Sequence, residues 1–463
     1  MSCATNRLGD PASMGALLTI ALPLMVSQAC DTLMIFIDRQ FLSQLGPHYM
    51  SAAMVGGLSA FMFITFFVGL IGYTNALVAQ YLGAGQVNKC GLAVTQSLII
   101  AVAAYPIVLA CIPIGYKLFD LFNLPAEQIA PQRTYFVILM FGSVFSLLRH
   151  TFSSFFSGIG RTRIVMASTA ISLLVNVVCA YLLIFGKLGF PALGIAGAAI
   201  GSIVATITGL AILLIAYFHH QQREQFGTVS NMRFNRKVMK NLCKFGSPAG
   251  FEFLLNLSAF NLLVMTFHSQ GAHVAAAATV AFSWDMVSFI PMIGVNIAVT
   301  SLVGRSMGAN NPDDAQRVVK SGLKIVSVYA AILLFLCSLF PDALTKVFLS
   351  PSETNAYSLS VFLVRLISVY ILADAIGLVF SGALRGAGDT FVTMCISVSG
   401  HWLLLLVTFV LFNVFNTTPK TTWIALVILI WIIASSLYLR YRSGKWRLLR
   451  VIEAQHSAGN VIA

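Results

Sequence analysis

Apolar residues along the chain gather into twelve long runs separated by short polar intervals. The first six cover about 14–38, 51–79, 91–116, 134–157, 165–186 and 193–218. The second six cover about 246–268, 275–303, 321–341, 357–383, 391–414 and 421–439. At a helical rise of ~1.5 Å per residue each can cross about 30 Å of hydrocarbon, the longest with tilt. Pro23, Pro106, Pro113 and Pro291 fall inside runs, where they predict kinks rather than ends, because neighbouring helices can satisfy the freed backbone groups. The first run is too long for the core of a cleavable signal and has no small-residue cleavage site after it, so it reads as a first span.

The one long polar interval, residues 219–243, divides the runs six and six. Its second part, FNRKVMKNLCKF, is basic and amphipathic and is expected to lie on the membrane face. The two halves are repeats. Adding 225 carries Pro23 to Pro248, Gly46 to Gly271, Gly69 to Gly294, and Gly83–Ala84 to Gly308–Ala309. Further on, an offset of 228 carries Gly158-x-Gly160-x-Thr162 onto Gly386-x-Gly388-x-Thr390. An even number of spans per half makes the repeats parallel, related by an axis along the membrane normal. The expected organisation is a six-helix bundle over 1–218, a linker over 219–245, a second bundle over 246–440 and a basic tail over 441–463.

Composition adds weight to this reading. The chain of 463 residues is 58% hydrophobic and 9% charged, against about 25% charged in a soluble globular protein. The fold class expected is an all-α polytopic membrane protein, seated in the inner (plasma) membrane with lipid as its surroundings. A formal charge of +13 invites a nucleic-acid reading, but the basic residues sit in short loops and in the tail. Arg7, Lys89, Arg161, Arg163, the cluster from Arg223 to Lys244, Arg305, Arg317, Arg385 and Arg440 to Arg450 fall on one side. The other side holds Arg39, Lys117, Arg133, Lys187, Lys346 and Lys420. That asymmetry places both termini in the cytoplasm and leaves no role for nucleic acid.

Against this apolar background the acids stand out. Five of fifteen lie within or at the ends of runs: Asp31, Asp38, Glu252, Asp285 and Asp374. An ionisable residue inside a membrane costs about 2.5 kcal/mol or more and marks a functional site by default. Glu252 opens the second half without a Lys or Arg following it in its run, and Asn256 lies one turn further on the same face. Should the helices converge, Glu252, Asn256, Asp285 and Asp374 form a cation or proton site, with Glu252 and Asp374 at its centre. Asp31 and Asp38, seven apart on one face, form a second candidate with Asn176. Carboxylate and amide oxygens suit Na⁺; crowded, desolvated carboxylates suit H⁺. The sequence leaves both open. Plainer readings stand beside these: Asp38 pairing near Arg39, Asp285 at the interface beside Trp284, and structural hydrogen bonds for Glu252 and Asp374. Arg365 falls on roughly the opposite helix face from Asp374.

Other chemistry finds little purchase. There is no G-x-x-x-x-G-K-[ST], no H-E-x-x-H and no G-x-S-x-G, so neither ATP drive nor an enzyme is expected. The eight cysteines are scattered without a C-x-x-C pair and read as small packing residues rather than disulfides or a zinc site. No cofactor and no structural metal are expected.

The two halves of six spans, Pro23 and Asp38 in the first span and the Gly83/Gly308 motifs resemble the multidrug and toxic compound extrusion (MATE) family. So do SGIGRTR at 157–163, NVVCAYLLIFGKLGFPALGIAGAA at 176–199 and DAIGLVFSGALRGAGDT at 374–390. The resemblance covers nearly the whole chain. It implies a NorM-like or DinF-like exporter of small organic cations or amphipathic compounds, working as a monomer in antiport with Na⁺ or H⁺ by rocking of two bundles. It also implies hinges at Pro23 and Pro248, and family ion-site acids at Asp374 and Asp38. The span-seven Glu of NorM-like members aligns with Asn256, with an acid one turn earlier at Glu252. Asn176 matches the family, but the Asp that many members place four residues later is Ala180, which leaves Asp31 as a substitute. The alternatives kept are a lipid-linked oligosaccharide flippase of the wider superfamily and a membrane channel or receptor without coupled transport.

Overall fold

The computed structural model describes residues 12–121, 126–350 and 354–452. Cys3, Arg7 and the tail beyond residue 452 lie outside the described residues. Among the described residues, twelve helices are long and apolar enough to cross a membrane. The first six are Met14–Ser43, His48–Gly83, Val87–Asp120, Glu127–Gly158, Thr162–Phe185 and Ile195–Phe218. The second six are Arg236–His268, Ala272–Gly308, Pro312–Leu339, Asn355–Ala387, Thr390–Asn413 and Pro419–Arg442. They are called spans one to twelve below. Among the described residues there is no strand. The chain is an all-α, multi-pass membrane protein.

The packing order repeats. Span one lies on five, five on six, six on four and four on two; correspondingly seven lies on eleven, eleven on twelve, twelve on ten and ten on eight. The halves meet through one against eight and two against seven, pairs exchanged by the repeat, and through two against eight, a pair the repeat maps onto itself. Glycines set the closeness of that seam. A Cβ on Gly83 would stand 1.9 Å from the Arg305 carbonyl oxygen, and one on Gly308 would stand 2.0 Å from that of Gln80. Residues 80 and 305, like 83 and 308, are related by the 225 offset, so the two approaches are copies of each other about a two-fold axis. Gly69 against the Gly250 Cα (2.7 Å) and Gly294 against the Met25 nitrogen (2.8 Å) form a second such pair.

Hydrogen bonds reinforce the same end of the molecule. Ser301 Oγ donates to the Ser157 and Gly158 carbonyls at 2.9 and 3.2 Å, and Gln80 Nε2 donates to the Gly386 carbonyl at 2.8 Å. Aromatic pairs Tyr73–Phe245, Phe66–Phe251 and Phe61–Phe253 continue the seam between spans two and seven. Among the described residues, these contacts run from the end that carries the linker up to Phe61–Phe253 and Met25–Gly294. Past that level, Leu33, Ile35 and Phe36 of span one and Met54 and Val55 of span two are exposed.

The linker, part of which was expected to lie on the membrane face, is built into the bundles. It is pinned to span three: Thr95 Oγ1 donates to the Asn231 carbonyl at 3.1 Å, and Gln96 bonds both the Arg233 carbonyl and the Asn235 N–H. Asn235 then caps a continuous helix through Val238 N–H, so the basic stretch is the opening of span seven rather than a separate surface helix. Val238 and Leu242 turn inward, while Arg236, Lys240 and Lys244 stay exposed. No helix-breaking residue separates Arg236 from the apolar run, so the helix propagates through both. The tail is also more than a solvated charge run: a 3₁₀ turn at Lys445–Leu448 buries Trp446 against Tyr441.

Candidate ion and substrate site

The five acids singled out in the sequence do not converge on one cavity; the helices sort them into four settings. In span one, Asp31 is paired. Arg149 of span four reaches across the first bundle to place Nη2 3.1 Å from Asp31 Oδ1 and 3.0 Å from Thr169 Oγ1. Thr169 in turn shares a 2.8 Å hydrogen bond with Ser27. Asp31 is therefore neutralised within its own bundle.

Asp38 is different. It is only 4% exposed and none of its partners is a cation. Ser202 Oγ of span six donates to Oδ2 at 2.6 Å, and Asn176 Nδ2 of span five at 3.4 Å. Oδ1 has no hydrogen-bond partner, and neither has the buried Oδ1 of Asn176 nor the Oγ of Ser172 one turn below it. Unpaired buried oxygens are costly, since each forgoes the water it would bond outside. Two of them in one cluster, with a third a turn away, are the donor set a hard cation takes. At the family's second acid position, Ala180 is fully buried, its backbone 3.0 Å from where a Cβ on Gly201 would lie.

In the second bundle Glu252 is not uncompensated. Arg385 of span ten places Nη2 2.8 Å from Glu252 Oε1. The sequence alone had put Arg385 among the loop cations, but its long side chain reaches back along the helix toward mid-span, the direction helical side chains favour. Asn256 donates to Ser397 Oγ at 2.8 Å, and His401, a turn further along span eleven, lies within electrostatic reach of Glu252. Glu252 Oε2 and Asn256 Oδ1 remain buried without partners.

Asp285 and Asp374 form the fourth setting. Tyr370 and Asp374, one turn apart on span ten, both lie within electrostatic reach of Asp285 of span eight. Glu252 meets span ten well past Asp374. The residue that holds it, Arg385, is eleven positions along span ten, about 16 Å of helical rise away. Glu252 is thus held by Arg385, while Asp285 is the acid whose charge reaches Asp374. Arg365 is exposed, as its helix face implied. Pro23 and Pro248 are buried inside spans one and seven at repeat-related positions. Among the described residues, no group of three or more His, Cys, Asp or Glu is placed to hold a metal ion.

Among the described residues, each bundle therefore contains one acid of its first helix clamped by an arginine of its fourth, and one acidic centre left without an arginine. That arrangement sits in a parallel-repeat scaffold, and its sequence matches the MatE family over residues 23–182 and 248–411. The chain belongs to the MatE family. Similar proteins include a probable multidrug resistance protein NorM of Thermotoga maritima, 28% identical over 94% of each chain. Another is the multidrug resistance protein PmpM of Pseudomonas aeruginosa, 26% identical over 84% of this chain and 82% of the relative. Among solved structures, a MATE in complex with MaL6 superposes with a TM-score of 0.87 at 20% identity, covering 97% of this chain and all of the other. An outward-facing multidrug resistance MATE transporter of the MOP superfamily superposes at 0.85, with 18% identity, over 97% of this chain and all of the other.

Sequence reasoning missed Arg149, Ser202, Tyr370 and His401 as parts of these centres. Arg149 carried a signal: an arginine within an apolar run obeys the same rule that exposed the acids. Ser202 carried none, because a serine hydroxyl in a membrane helix bonds its own backbone as readily as a neighbour, and Tyr370 carried none, because a tyrosine in an apolar run reads equally as packing or as an interfacial residue.

Proposed function

We propose that the protein exports small organic cations or amphipathic compounds from the cell by antiport with Na⁺ or H⁺. The observation that carries this is the presence, inside the two bundles, of acids with no arginine: Asp38 in the first, Asp285 with Asp374 in the second. A buried acid that no protein cation neutralises is stable only when it takes up a proton or an external cation. Glu252 and Asp31 are held by Arg385 and Arg149, so they shape the bundles and the coupling ion is taken at the other acids. Asn176 belongs to the Asp38 centre; Asn256 supplies a nearby oxygen on the Glu252 side.

The linker end is the cytoplasmic end, following the excess of basic residues there. With the seam closed at that end, the conformation is the outward-facing one. Alternating access follows from rocking about the seam, with flexure at Pro23 and Pro248. Antiport then requires that ion and substrate favour opposite orientations. The names of the NorM and PmpM relatives support multidrug export as the cargo class. Residence in the plasma membrane as a monomer completes the reading. The flippase alternative is weaker, because Arg149 and Arg385, the arginines that reach the acids of the two bundles, are each taken up by one of them. The test is transport of a fluorescent organic cation into or out of proteoliposomes under imposed Na⁺ or H⁺ gradients. Gradient-driven flux supports the reading; flux indifferent to both gradients removes it.

A further inference from the structure

Span twelve ends at Arg442, and the chain turns at Gly444 (φ +70°) into the 3₁₀ segment Lys445–Leu448. Between this turn, the last helical turn of span twelve and the start of span nine lies a cavity of about 370 Å³. Its walls are Tyr438, Tyr441 and Trp446, with Arg442, Arg447 and Gln316 at its polar side. The Tyr441 and Trp446 rings stack at 5.2 Å, and the Trp446 Nε1–H donates to the Tyr441 carbonyl at 2.9 Å, so the aromatic wall is rigid. Arg447 is held by Gln316 Oε1 at 2.5 Å, with the Asp313 carboxylate more distant at 3.6 Å, and its guanidinium lies 5.5 Å from the Trp446 ring. Arg442 is exposed and has no acidic partner among the described residues.

Two guanidinium groups over an aromatic wall, level with a helix end, match the interfacial layer of a bilayer, where Tyr and Trp collect and headgroups lie. Arginine recognises phosphate through paired N–H donors. Leu439 and Leu448, next in sequence to the lining residues Tyr438 and Arg447, are 61% and 81% exposed and offer apolar surface to acyl chains. We infer that this cavity binds the headgroup phosphate of an anionic glycerophospholipid from the linker-side leaflet, with Arg442 and Arg447 as its ligands. The bound lipid would tie span twelve and the tail to span nine, adding to the contacts that Arg450–Asn310 and Asn241–Val451 already make across that end.

The test uses the full chain, delipidated in detergent, with phosphatidylglycerol, phosphatidylcholine and inorganic phosphate as probes, read by native mass spectrometry and thermal unfolding. Phosphatidylglycerol is expected to bind and raise the melting temperature, with phosphatidylcholine and inorganic phosphate without effect. Arg442→Gln with Arg447→Gln should weaken phosphatidylglycerol binding about tenfold, the order of a lost charge-assisted contact. Lys445→Gln, a charge loss that does not line the cavity, should leave it unchanged, and Arg442→Lys should retain part of it. Equal binding of phosphatidylcholine, equal stabilisation by inorganic phosphate, or equal weakening by Lys445→Gln would each overturn the inference. If the double variant fails to fold, the single Arg442→Gln, whose side chain makes no internal ion pair, decides it in the same way.

Discussion

Arg385 holds Glu252 at 2.8 Å inside the second bundle, and Glu252 is only 3% exposed. A buried pair of this kind adds little net stability against an apolar replacement, but removing one member strands the other at about 3–5 kcal/mol. Arg385→Gln and Glu252→Gln should each lower thermal stability sharply, and the double substitution should recover much of the loss. A thermodynamic cycle on the four proteins measures this coupling; additive losses would mean the pair does not interact.

In the corresponding pair of the first bundle the acid is more accessible, the Asp31 side chain being 34% exposed against 4% for Glu252. Solvent reduces the penalty for stranding Asp31 when Arg149 is removed. Arg149→Gln is therefore expected to destabilise less than Arg385→Gln in the same unfolding assay. A larger loss would place Arg149 in a drier setting than the structure gives it.

The glycine seam makes a geometric prediction. Gly83→Ala would set a methyl 1.9 Å from the Arg305 carbonyl and Gly308→Ala one 2.0 Å from that of Gln80. Neither backbone can yield without spreading spans two and eight. Each substitution should destabilise the closed linker end by at least the about 1–3 kcal/mol of ordinary overpacking. Because the contacts are copies about one axis, the two losses in melting temperature should be similar. A large effect from one and none from the other would contradict the two-fold seam.

Trp446 gives a fourth test. It is 2% exposed, although it lies in what reads from sequence as a basic tail. Trp446→Ala should lower stability by an amount on the order of 3–5 kcal/mol, typical of a buried aromatic truncation. Unchanged unfolding would show the tail to be detached in solution.

Much of the fold was legible in the sequence because bilayer thickness imposes run length and the repeat imposes register. The twelve spans and the Gly83–Gly308 correspondence both follow from those constraints. The acids were legible too, since charge inside an apolar run is conspicuous. Their partners were not. Whether Arg385 serves a loop or reaches down to Glu252 depends on side-chain direction and on which helices are neighbours. Whether Asp374 meets Glu252 or Asp285 depends on rotation of span ten, and a period of 3.6 residues does not fix it. The linker was misread for a related reason: amphipathicity shows that a helix has two faces, not that it ends where the next apolar run begins.

The central claim is that the coupling ion is taken by the acids without an arginine. The most direct measurement is gradient-driven transport of a fluorescent organic cation in proteoliposomes, compared per folded molecule for Asp374→Asn and Glu252→Gln. The expected result is that Asp374→Asn loses at least tenfold of the gradient-driven rate while Glu252→Gln keeps most of it. Retained coupling in Asp374→Asn together with its loss in Glu252→Gln would contradict the account.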